Sequence, residues 1–408
     1  MWITAGLWSR EWHSTCLALV YHQLSCCLMG KIVSKLQQKV TSSHGQAGKF
    51  PFIELPDVCK VHVFSFLSTE DRVLAAHVCR EWRLLLSSPV LWTNVDVPAS
   101  VRAVRASPQA DKHCEVANYH DRVKKYLDFI GNVDPCIRRF VFVGDIAETV
   151  YHDSLRLFLT SARLSELKHV SINWAKVDGI DVDAAGSMEE RCEDCASSWS
   201  VDENHRRRQR YFVHLFEQLC GASPNITSLS LPFDWSPKSV DAIVSLRSME
   251  ELSLGKYSEL QALDCVTLDR VITSLPQLRR LELEVWTPCA SGGLTYYSVR
   301  SKSLEFVDLA KCRGFALGCV DLPRVTVLRL SRCLWSGPLM VQSTTDICSL
   351  PCLHRVLSEG VPNLKELNGH KLHADWYKHV DDELELLLKS ICPCDLHFGW
   401  ATVVADCF

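Results

Sequence analysis

The sequence predicts an α/β protein in two parts: a short three-helix unit near residue 60, then an irregular solenoid of parallel strands alternating with helices. Two observations carry this. Between Leu55 and Trp92 lie three short apolar segments separated by helix-start and helix-stop residues. Downstream, an apolar pattern with strand-like alternation returns about every 25 residues, each time after a helix-like stretch.

In the first segment Pro56 suits a helix opening, where its missing N–H is not needed. Val58, Val61, Phe64 and Leu67 then draw an apolar stripe along one helical face. Ser68 followed by Asp71 has the form of a capping box and starts a second helix containing Val73, Leu74, Ala75, Ala76 and Val78. A third helix covers Arg80 to Leu86 and stops before Pro89. So small a bundle is near the lower limit for independent folding. Leu55, Val61, Val63, Phe64, Phe66, Val73 and Trp82 are more apolar side chains than it can cover. Each, once covered, contributes roughly 1.5–3 kcal/mol. The set calls for a partner surface or for the protein's own neighbouring domain.

This segment resembles an F-box. Leu55 and Pro56 open the pattern, Val63, Phe64, Ser65, Phe66 and Leu67 fill the first helix, and Asp71 starts the second. Val78, Cys79, Arg80 and Trp82 form the third signature, and Leu91-Trp92 closes it. The sequence departs from the pattern at Val58, where the family often has Glu, and at Lys60 and Arg72, where it favours Leu. The resemblance implies docking to a Skp-family adaptor and, through it, to a cullin–RING ubiquitin ligase. With the uncovered apolar set it nominates Leu55, Pro56, Val61, Val63, Phe64, Leu67, Val73, Val78 and Trp82 as adaptor-binding residues. The alternative for this segment is an ordinary helical hairpin packed on the rest of the chain.

The downstream repeat has the form L-x-x-L-x-L. It occurs at Ile226/Leu229/Leu231, Met249/Leu252/Leu254, Leu278/Leu281/Leu283, Leu304/Val307/Leu309 and Val325/Leu328/Leu330. Weaker copies stand at Ile137/Phe140/Phe142, Leu167/Val170/Ile172 and Leu364/Leu367. The period lies within the range of leucine-rich repeats. Cys312 and Cys333 occupy the Asn/Cys position that follows two of the copies, where a thiol packs as a small hydrophobe. Asp234, Tyr257 and Trp286 stand there in other copies, so a distorted horseshoe is expected. Strand alternation turns the leucines inward and Ser230, Ser253, Arg280, Glu282, Glu284, Asp308 and Arg329 outward on the concave sheet. Of these, Arg280, Glu282, Glu284, Asp308 and Arg329 are the candidate target-binding residues, against the plainer reading of a solvated sheet face. Their mixed charge suits a protein partner better than a nucleic acid.

Composition bounds the rest. A length of 408 residues with 47% hydrophobic content gives room for more than one core, and a net charge of −4 argues against general polyanion binding. Twenty cysteines without a convincing signal peptide or membrane span read as mostly free thiols in a reducing cytosolic or nuclear compartment. Residues 178–210 are polar and lack an apolar period, which predicts an exposed inserted loop. Cys192 and Cys195 in it form a lone C-x-x-C without the four ligands of a structural zinc site. Arg206, Arg207, Arg208 and Arg210 read as a solvated loop end rather than an import or anion-binding patch. Cys392 and Cys394 receive no assignment. No phosphate-cradling glycine loop, nucleophile elbow or zinc-protease helix appears, so neither catalytic residue, cofactor nor metal is expected.

The expected organisation is an N-terminal segment of unassigned role over 1–50, the F-box over 51–97 and a linker with helical character over 98–132. A leucine-rich repeat domain over 133–372 and a C-terminal cap over 373–408 follow. Such a chain acts by proximity: one part binds the adaptor, and the repeats hold an unknown protein substrate. The alternatives are a scaffold acting without ubiquitin transfer, and an enzyme with an unsignalled cysteine or metal site.

Overall fold

The computed structural model describes residues 55–97, 112–144, 146–147, 149–174, 201–256, 263–285, 296–312, 315–330 and 353–391. The expectations placed on residues 1–50, Tyr257, Trp286, Cys333, Cys192, Cys195, Cys392, Cys394 and the part of the C-terminal cap over 392–408 lie outside them. The chain divides into two compact units, Met1–Pro135 and Cys136–Phe408.

The first unit contains helices α1 (Asp57–Ser65), α2 (Thr69–Ala75) and α3 (Arg80–Leu86), a 3₁₀ turn at Pro89–Trp92, strand β1 (Asn94–Asp96) and helix α4 (Lys112–Val133). Local chemistry sets the boundaries. Pro56 is the N-cap of α1, and its carbonyl accepts from the Cys59 and Lys60 amides at 2.9 and 3.1 Å. The Ser68 hydroxyl accepts from the Asp71 N–H at 3.1 Å and donates to the Asp71 carboxylate at 2.7 Å, as the capping residues predict. Cys79 caps α3, its sulfur facing the Trp82 N–H at 3.5 Å.

The phase of α1 differs from the expected stripe. Lys60, Val63, Phe64 and Leu67 are buried, whereas Val58 is 80% exposed. The inward face thus steps 60, 63, 64, 67, the i, i+3, i+4, i+7 spacing of one helical side. Lys60 was missed because a lysine normally marks the wet side; here Glu81 receives its ammonium. Phe64 meets Trp82 edge-on at 5.1 Å, and Trp92 donates its indole N–H to the Leu86 carbonyl at 2.6 Å. Trp92 also packs edge-on against Tyr126 and Phe129 of α4 at 6.2 and 5.3 Å.

The second unit runs β2 (Arg139–Val143), α5 (Thr149–Ser161), β3 (His169–Asn173), α6 (Val201–Ala222), β4 (Ser228–Phe233), α7 (Pro237–Val244), β5 (Glu251–Lys256), α8 (Cys265–Ser274) and β6 (Arg280–Leu283). It continues with β7 (Tyr296–Arg300), β8 (Phe306–Leu309), β9 (Ala316–Asp321), β10 (Val327–Leu330), α9 (Leu353–Gly360), β11 (Glu366–Leu367), β12 (His370–Lys371) and α10 (Asp382–Ile391). Its main sheet has the order β2-β3-β4-β5-β6-β8-β10-β11-β12. All its neighbours pair parallel except the final β11–β12 hairpin. Asn368 and Gly369, at φ 51° and 85°, supply the left-handed turn that such a two-residue hairpin needs.

The registers align one apolar row across the sheet: Phe140, Val170, Leu229, Leu252, Leu281, Val307, Leu328 and Leu367. Every one is buried, as are Leu231, Leu254, Leu283, Leu309 and Leu330 two residues on and Ile226, Met249, Leu278, Leu304 and Val325 three before. The inward half of the expected alternation is therefore observed at each copy.

A second layer covers that row. In it α5 contacts α6, α6 contacts α7, α7 contacts α8, α8 contacts β7, β7 pairs with β9, and β9 contacts α9. Two return segments are thus strands where helices were expected. Tyr297 of β7 is buried, stacks on Phe315 at 4.0 Å and donates its hydroxyl to the Leu263 carbonyl at 2.6 Å. The α9–β9 approach is close: a Cβ on Gly360 would lie 2.2 Å from the Val320 carbonyl oxygen. Although residues 174–227 separate them along the chain, β3 pairs directly with β4 in the sheet.

The loop expected over 178–210 is corrected at its end, because α6 begins at Val201. Arg206, Arg207, Arg208 and Arg210 therefore stand on a helix. Glu, Arg and Gln are good helix formers without any apolar period, and Arg207 is tied to the Ala147 carbonyl at 3.3 Å.

Candidate functional site

Two surfaces carry the residues nominated from sequence, one in each unit. In the helical unit the adaptor set separates into an interior and an exterior group. Val63, Phe64, Leu67 and Trp82 are buried, so they hold the helices together and are not free to touch another molecule. Leu55, Val61 and Val73 are half-buried, and Pro56 and Val78 are exposed. Among the described residues of this unit, the exposed large apolar side chains are Val58, Phe66, Val78, Leu84 and Val90. The expected surplus of uncovered hydrocarbon is therefore present, but only partly on the residues named for it.

The two cationic departures from the F-box pattern are both tied to the unit's own atoms, Lys60 buried and Arg72 half-buried. Lys60 reaches Glu81 at 2.7 Å and Asp57 at 3.4 Å, linking α1 to α3. The hydrogen bond to Glu81 raises the lysine above its ordinary value of 10.5. Arg72 donates to the carbonyls of Phe64 at 3.2 Å, Ser65 at 2.9 Å and Leu91. Partial burial lowers its affinity for the proton from the usual 12.5, yet a guanidinium keeps its charge at any physiological pH. Sequence alone gave no sign of these ties, since Glu81 and Leu91 are remote along the chain from the cations they receive.

On the main sheet, the residues between the buried leucines form aligned rows. Ser171, Ser230, Ser253, Glu282, Asp308 and Arg329 make one, in register across β3, β4, β5, β6, β8 and β10. Ser228, Glu251, Arg280, Phe306 and Val327 make the neighbouring one. Arg280, Glu282, Glu284, Asp308 and Arg329 are all partly exposed.

Four of those five are joined by direct contacts. Arg280 donates through Nε and Nη2 to one oxygen of Glu282 at 2.9 and 2.6 Å, while Ser253 reaches the other oxygen at 3.3 Å. Arg329 approaches Asp308 at 3.5 Å. Phe306 lies between the two guanidiniums, with Arg280 at 3.8 Å and Arg329 at 5.4 Å from its ring centre. Glu284 stands apart, near Lys311 at 3.9 Å. Phe306, Glu251 and Ser228 were not among the nominated residues. The alternation that marks Val307 as inward gives Phe306 as outward, so the signal for it was present.

Cys312 is buried, as expected for its repeat position. Its thiol donates to the Leu283 carbonyl at 3.3 Å, and burial pushes its pKa up to about 12. Among the described residues no group of three or more His, Cys, Asp and Glu side chains gathers as a metal site would. No described helix is long and apolar enough to cross a membrane.

Residues 52–98 match the F-box-like family. An F-box-like domain thus spans α1, α2, α3, the 3₁₀ turn and β1. A stretch of 45 residues is 38% identical to a human protein named F-box/LRR-repeat protein 12, covering 11% of this chain and 14% of that protein. The similarity is confined to a small part of either molecule.

Proposed function

We propose that this chain is a non-catalytic substrate-recognition subunit of a Skp–cullin–F-box ubiquitin ligase. The observation that carries the reading is the F-box-like domain itself, with exposed Pro56, Val58, Phe66 and Val78 around a closed aromatic interior. Leu55, Pro56, Val61, Val73 and Val78 remain the proposed contacts with a Skp-family adaptor, joined by Val58 and Phe66. An adaptor would cover this hydrocarbon, at about 25 cal/mol per Å² of apolar area removed from water.

The strand–return units of the second domain are read as leucine-rich repeats forming a solenoid, supported by the in-register apolar row and its period of about 25 residues. Their outward face is the proposed target surface, centred on Phe306 with Arg280, Arg329, Glu282 and Asp308, and with Glu284 at its margin. Arginine and aromatic side chains held in place by neighbours are frequent anchors of protein interfaces. Ligase activity then arises by proximity. Holding a target and the adaptor on one chain raises the effective concentration of target lysines near the charged conjugating enzyme. A reducing cytosolic or nuclear setting belongs to the same proposal.

Affinity capture of the full chain is the test. Adaptor, cullin and RING subunits are expected with the intact chain and not with Leu55→Ala/Pro56→Ala. Capture of adaptor without cullin favours a scaffold that acts without ubiquitin transfer; undiminished capture by the double variant refutes the assignment.

A further inference from the structure

One side chain pins the corner between α1 and α2. Arg72 Nε and Nη2 donate to the carbonyls of Phe64 and Ser65 at the end of α1, the Phe64 carbonyl also accepting the Leu67 amide at 3.1 Å. Nη1 of the same guanidinium donates to Leu91 in the 3₁₀ turn. A planar fork serves three acceptors at once, which neither leucine nor a lysine ammonium reproduces. The residue after Ser65 is Phe66, the C-cap of α1. Phe66 is 47% exposed and is the one aromatic among the exposed large apolar side chains of the unit's described residues, its ring edge-on to His62 at 5.0 Å. The backbone that aims Phe66 outward is thus fixed by Arg72 and not by packing alone.

We infer that Arg72 is a positioning residue for adaptor docking, holding the α1–α2 corner so that Phe66 already points as the bound state requires. This rests on the adaptor reading proposed above. A surface that must first order itself binds more weakly by the fraction of time it is competent; pinning the corner removes that loss. Leucine at 72, the residue the resembled family favours, would keep the site apolar and release the corner.

The experiment measures binding of a purified Skp-family adaptor to the full chain and to Arg72→Leu, Arg72→Lys, Phe66→Ala and Arg72→Leu/Phe66→Ala. Circular dichroism and thermal melting of each variant establish that it is folded. Arg72→Leu is expected to bind about tenfold more weakly, chiefly through slower association, and Arg72→Lys not to restore it. Phe66→Ala should cost less in the Arg72→Leu background than in the native chain, because the two residues act through one contact. If Arg72→Leu fails to fold, Arg72→Lys replaces it in the cycle. Native affinity in Arg72→Leu, or strictly additive losses, overturns the inference and leaves the adaptor reading standing. Failure of the native chain to bind adaptor overturns both.

Discussion

The ammonium of Lys60 lies 2.7 Å from the carboxylate of Glu81, joining the first helix of the F-box-like unit to the third. The lysine side chain is only 6% exposed while the glutamate is 51% exposed, so the pair lies half in the core and half at its rim. The hydrogen bond to Glu81 holds the lysine protonated beyond its ordinary range. A raised value in the folded state means the pair stabilises fully below the unfolded lysine value near 10.5 and is lost as pH climbs through the folded one. Thermal melting is therefore expected to show a destabilisation by Glu81→Gln that is constant near neutrality and shrinks only in strongly alkaline solution. A difference that vanishes already between pH 6 and 8 would assign the effect to another group.

The inward and outward rows of the sheet predict opposite consequences for adjacent residues. Leu281 is 1% exposed, and Leu281→Ala is expected to destabilise by roughly 2–5 kcal/mol as a core truncation. Glu282 is about one-third exposed and makes a surface pair with Arg280, so Glu282→Ala should cost about 1 kcal/mol or less. Chemical denaturation of the two variants decides it; equal losses would refute the alternation.

Cys312 and Cys220 should behave as inert thiols. Burial pushes each up to about 12, so almost none is thiolate at neutral pH. Alkylation of the native chain is expected to label exposed Cys79, Cys265 and Cys319 and to spare the buried pair until denaturant is added. The sign also fixes a pH effect. Folding keeps these protons where the unfolded chain releases them, so this contribution to stability is full below about 9 and is lost between 9 and about 12. Rapid native labelling of Cys312 would contradict its placement against Leu283.

The apolar row from Phe140 to Leu367 was legible in the sequence because strand alternation and a fixed period both act locally. So were the start of α2, with its cap Ser68 and Asp71, and the extent of α3 ahead of Pro89, although α2 ends at Ala75 and leaves Val78 outside it. The face of α1 was not, because burial of Lys60 depends on Glu81, a partner supplied by another helix. The helical start of α6 was hidden for the converse reason: 201–210 has the charge of a loop and the propensities of a helix. Strands β7 and β9 stand where helices were expected; the β-rich composition of Tyr296–Arg300, with Tyr, Tyr and Val, was the available signal. At the candidate sites, the outward positions followed from alternation, whereas the Arg280–Phe306–Arg329 contact needed the strands side by side.

The adaptor reading is tested most directly by titrating the purified full chain with a purified Skp-family adaptor in a calorimeter. A one-to-one complex is expected, with a negative heat-capacity change from covered hydrocarbon. It should be abolished by Val78→Asp and kept by Val380→Asp, an exposed apolar position of the other unit. Absence of a complex with the native chain, or equal affinity in Val78→Asp, would contradict the account.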